Sequence, residues 1–178
     1  MAIDRYSKDY RLTDSLDARG RIRTEMEYIG SYYVFRSGCS AARRAGKRLA
    51  LCSGISWLAF LAALALPSRA GHALYALLPC AFLALPLWQL SAAGITALRV
   101  KEPFVRRDAE RLTLRLPAAA VFALILSFAA FLGGFACLVF GHQPPLTGDW
   151  VFLGGNLLCF VCALSCRKQT ASLTVTPQ

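Results

Sequence analysis

Four long apolar runs, two on either side of a charged connector, set the pattern of this chain. Residues 49–97 carry one charged side chain, Arg69, and residues 116–166 carry one, Asp149. Such stretches have nothing to solvate them in water, and about 17–25 apolar residues suffice for a helix to cross a bilayer. The runs at 49–66, 73–97, 117–140 and 150–166 therefore predict four transmembrane helices. The predicted fold class is an all-α integral membrane protein. Two helical hairpins (48–166) are joined by the connector 99–115, with a short cytoplasmic segment at 1–47 and a disordered tail at 167–178.

Local signals sharpen the breaks. Pro67-Ser68 stops the first span, and Gly141 to Asp149 (GHQPPLTGD) reads as a polar turn. Pro79 and Pro86, seven apart, each remove a backbone hydrogen bond and predict kinks in the second span. Pro117 is acceptable in the first turn of the third. Ala129 with Gly133 and Ala130 with Gly134 have the small-xxx-small spacing that lets membrane helices approach closely.

The polar segments carry their own patterns. Residues 22–28 alternate, with Ile22, Thr24, Met26 and Tyr28 on one face, which is a strand signature; Met26, Ile29 and Tyr33 support a helix almost as well, so both readings stay open. Tyr28, Tyr32, Tyr33 and Phe35 are aromatic anchors with no evident core of their own, and are expected to bind a partner. In the connector, Val105, Ala109, Leu112 and Leu116 form one apolar stripe, predicting a short amphipathic helix on the membrane surface or against a partner.

Charge adds an orientation. The net charge is +10; residues 1–48 hold eleven Lys or Arg, the connector six and the tail two, against one in the two opposite turns. The positive-inside rule then predicts both termini in the cytoplasm. Beside membrane spans this charge speaks for anionic lipid headgroups and against nucleic acid. Arg43, Arg44, Lys47, Arg48, Arg106, Arg107 and Arg111 are the expected headgroup contacts.

Candidate chemistry is sparse. Cys159, Cys162 and Cys166 share one helix face, and a structural stripe of small apolar side chains is favoured over metal or redox chemistry. His72 and His142, with Asp149 as a third ligand, make a weak metal set, so no metal and no cofactor is expected. Gln89 and Asn156 are the strongly polar side chains inside the spans and serve best as helix–helix hydrogen-bonding groups. No Asp, Glu, Lys, Arg or His lies deep in a span, as proton relays and ion-coupled pumps require. No P-loop, HExxH or GxSxG occurs, which weighs against an enzyme. The expectation is a non-catalytic accessory or scaffolding subunit of a larger membrane complex, for example a transporter, with other membrane-protein subunits as partners. A homo-oligomeric channel or facilitator, and a membrane thiol-redox enzyme, are the alternatives.

Overall fold

Alanine and leucine favour helix, and here much of the packed interior is alanine while many large apolar side chains face outward. Ala42, Ala59, Ala76, Ala93, Ala120 and Ala130 are buried, whereas Leu51, Leu58, Trp88, Phe122 and Phe140 face outward. Lipid offers large apolar side chains as good an environment as a protein core, so small residues concentrate where backbones must approach. The computed structural model describes residues 9–16, 22–100, 102–141 and 144–177.

In chain order the elements are β1 (Tyr10–Leu16), β2 (Ile22–Tyr28), β3 (Tyr32–Phe35), α1 (Cys39–Ala65), α2 (Leu74–Phe82) and α3 (Ala84–Arg99). Then follow β4 (Phe104–Val105), α4 (Arg106–Glu110), a π-helical turn at Arg111–Arg115, α5 (Leu116–Phe140), α6 (Thr147–Thr170), a 3-10 turn at Ala171–Leu173 and β5 (Val175–Pro177). Four helical stretches are long and apolar enough to cross a membrane: Cys39–Ala65, Leu74–Arg99, Arg106–Phe140 and Thr147–Leu173. This is the make-up of a multi-pass membrane protein.

Helix α1 packs on α6 and α3, and α5 packs on α6, α2 and α3. The contacts run through small residues. A Cβ at Gly133 would lie 2.9 Å from the Ala76 backbone, and one at Gly155 2.9 Å from the Ala59 carbonyl. The second stretch breaks at Leu83, between its two prolines. Pro86 has no N–H for the Phe82 carbonyl, so the hydrogen-bond ladder is interrupted at Leu83, whose backbone stays helical. Ser56, Thr96 and Ser127 donate to carbonyls of their own helices, which hides their hydroxyls.

At the basic end the chain is not all-α. β1 and β2 form an antiparallel hairpin, pairing Tyr10 with Tyr28 and Leu12 with Met26. The strand reading of residues 22–28 is therefore the one the backbone adopts. β3 is the centre of a second sheet, flanked antiparallel by β4 from the connector and β5 from the tail. The tail thus differs from the disordered segment expected, because its backbone finds a ladder on β3. The apolar stripe of the connector turns inward: Ala109, Leu112 and Leu116 are buried in the chain's own core, and the helix from Arg106 runs on into α5. The ring of Pro117 would crowd the Thr113 carbonyl, and the wider π turn just before it relieves that clash.

Candidate interaction surfaces

Phe35 belongs to the chain's own core. It is 5% exposed, its ring 4.8 Å from that of Phe104, and its N–H donates to the Glu102 Oε1 at 2.8 Å. A side chain so enclosed is a core residue and not a partner anchor, which corrects the sequence reading. Tyr33 packs against the same core. Tyr28 also works within the chain: its hydroxyl donates to the Ser31 carbonyl and accepts from the Arg106 N–H, both at 3.0 Å. Burial pushes the Tyr28 pKa above its ordinary value, the Arg106 N–H works against that, and Asp9 adds to the rise. Tyr10 and Tyr32 stack edge-on against Tyr28, each ring 5.2 Å from it.

These contacts tether the β1–β2 hairpin but leave a face of it bare. Leu12 is 70% exposed and its cross-strand partner Met26 is 74% exposed. Ile29 and Tyr32 stand exposed beside them. All four lie outside the membrane-length helices. Among the described residues no third strand joins this hairpin, and two strands alone are marginally stable in water. In the sequence, Leu12 is marked only by its alternation with Tyr10.

The basic side chains divide by environment. Arg43, Arg44, Lys47 and Arg48 are all exposed on the first turns of α1, and the first three line a shallow hollow about 760 Å³ in volume with Leu98. Arg106 pairs with Glu110 at 3.0 Å, which raises its pKa further, and Arg107 is exposed. Arg111 donates to the Thr96 hydroxyl at 3.2 Å. Gln89 and Asn156 are not brought together at one site. Gln89 lines a groove between α3 and α5, whereas Asn156 is buried on α6 and donates to the Phe152 carbonyl at 2.9 Å.

Cys159, Cys162 and Cys166 are buried on α6, as free thiols, with Cys52 of α1 beside the last two. Cys159 donates to the Ser56 carbonyl at 3.5 Å. Among the described residues no group of three or more His, Cys, Asp or Glu side chains is arranged to hold a metal ion. The His72–His142 pairing rests on His142, which lies outside the described residues.

At the end opposite the sheet, Asp149 has a role the sequence reading missed. It is 4% exposed; Oδ1 accepts the Arg69 N–H at 2.7 Å and Oδ2 the Leu146 N–H at 2.8 Å. The carboxylate sits in the first turn of α6, where the helix dipole favours it. The Arg69 guanidinium also donates to the Pro144 carbonyl. One buried acid thus fastens the loop before α2 to the loop before α6. Its isolation, as the sole charge in residues 116–166, was the available signal.

No family model matches this chain, and no curated protein or solved structure does either.

Proposed function

We propose that the chain is a non-catalytic accessory or scaffolding subunit of a larger membrane complex, with its basic end and both termini on the cytoplasmic side. The observation that carries this reading is the bare apolar face of the β1–β2 hairpin, centred on Leu12 and Met26. Lipid-facing leucines on the long helices need no partner. Apolar side chains outside those helices face water unless something covers them, and an exposed apolar patch marks an interaction site. A membrane-protein subunit with a juxtamembrane apolar surface is the partner this face suits. Tyr28, two residues along the strand from Met26, holds the hairpin to the connector and to Tyr32 of β3.

Two further features support a role without chemistry. Among the described residues the one buried Asp, Glu, Lys, Arg or His in the helices is Asp149, which sits at the end of α6 on two backbone N–H groups, whereas proton relays and solute-coupling sites need such groups deep in the membrane. The small-residue faces of α5 and α6 are largely consumed by contacts within the chain, so the hairpin is the better candidate surface.

The test is a Leu12→Glu, Met26→Glu double variant in native membranes, solubilised gently and purified. Full burial of Leu or Met contributes about 1.5–3 kcal/mol, so losing both should weaken partner retention about a hundredfold or more. The thermal unfolding of the helices should be unchanged. Tags at either terminus should both be reported from inside intact cells. A chain that purifies alone, is monodisperse and confers solute flux on liposomes would overturn the subunit reading in favour of a channel.

A further inference from the structure

A trough about 710 Å³ in volume lies between α3 and α5. Its walls are Leu85, Trp88 and Phe122, all exposed, and its floor is the buried Pro86 and Ala119. It therefore opens on the outward face of two membrane-length helices. Its volume falls within the roughly 300–1,000 Å³ of ligand pockets. Two polar side chains, Gln89 and Arg115, also line it.

Trp88 is shared with a second hollow of about 560 Å³, nearer the connector, lined by Arg99, Arg111 and Asp108. Trp88 borders both hollows, so the apolar trough with Arg115 adjoins a hollow lined by two further guanidiniums and one carboxylate. Leu112 and Leu116 are buried, so the π turn sets Arg111 and Arg115, each one residue earlier, on the groove side. Among the described residues neither the Arg99 nor the Arg115 side chain has a hydrogen bond or ion pair within the chain. Both are the last charges before their helices turn fully apolar.

The geometry points to a binding site for one anionic phospholipid, with an acyl chain in the α3–α5 trough and the headgroup phosphate on Arg99, Arg111 and Arg115. Bilayer lipid is the occupant because the trough is apolar and opens where lipid is the solvent. Net positive charge at its polar end selects an anionic headgroup over a zwitterionic one. Gln89 offers its amide to an ester carbonyl of the same molecule. The site uses neither the hairpin nor a protein partner, so its failure leaves the subunit reading untouched.

The experiment uses the full chain in nanodiscs of phosphatidylcholine, with and without phosphatidylglycerol. Retained lipid is read by native mass spectrometry, and stability by thermal unfolding. One phosphatidylglycerol should be retained per chain and should raise the unfolding temperature. Arg111→Gln with Arg115→Gln should weaken retention about fivefold per guanidinium, the scale of a basic residue at an anionic surface. Ala118→Trp, at an exposed position on the trough, should displace the lipid with every arginine in place. Arg43→Gln with Arg44→Gln, equal in charge loss, should leave retention unchanged. Equal retention of both lipids, equal loss in the Arg43/Arg44 variant, or full competition by inorganic phosphate would each overturn the proposal.

Discussion

Replacing Asp149 by alanine should loosen the end of the bundle away from the sheet. The carboxylate is buried and accepts two backbone N–H groups, at 2.7 Å from Arg69 and 2.8 Å from Leu146. Hydrogen bonds to a charged group contribute about 1.5–3 kcal/mol each, and part of that offsets the cost of burying the carboxylate. A net loss of about 3 kcal/mol is expected, with the two N–H groups left facing a small void. Asp149→Asn keeps one acceptor oxygen but turns an NH₂ toward the other donor, so it should cost about half as much. The assay is hydrogen exchange in nanodiscs, read at the Arg69 and Leu146 amides. At about 1.4 kcal/mol per factor of ten, exchange there should quicken about a hundredfold in Asp149→Ala. Amides at the sheet end, such as Phe35, should be unaffected. A change under threefold at Arg69 and Leu146 would refute the claim that this carboxylate fastens the two loops.

Gly133→Leu should destabilise the helices by about 1–3 kcal/mol, because the added side chain meets the Ala76 backbone at 2.9 Å, whereas Gly54→Ala, with open space around it, should stay within about 0.5 kcal/mol; thermal unfolding in detergent compares the two. Tyr28→Phe should cost about 1 kcal/mol of hairpin docking, seen as faster proteolysis between β2 and β3. The pH dependence follows from the raised Tyr28 pKa: docking is intact below the ordinary tyrosine value of about 10 and is lost as pH rises through the higher folded value. Ultraviolet titration of tyrosinate should show a late-titrating component that Tyr28→Phe removes.

Pro79 and Pro86 announced a bend in the second stretch, and the helix does break between them, since a missing N–H acts wherever the residue stands. Phe35 read as an anchor for another protein because nothing near it in the chain offers a core. Its enclosure comes from Phe104, 69 positions on, and from Glu102. Asp149 read as a minor metal candidate, because its true contact is a backbone N–H 80 positions away.

The chain's own pattern determined four apolar helices of membrane length and their breaks at proline and glycine. It also determined the gathering of positive charge in the segments at one end. Each of these depends on neighbours within a few turns, so run length and residue type suffice. Tertiary structure alone decided that the N-terminal segment, connector and tail meet in one sheet, and which glycine meets which backbone. Those outcomes depend on ladder partners and packing surfaces tens of residues apart, for which periodicity along the chain carries no signal. The hairpin's bare face at Leu12 and Met26 belongs to both. Alternation made it apolar, and only the arrangement of the rest of the chain left it uncovered.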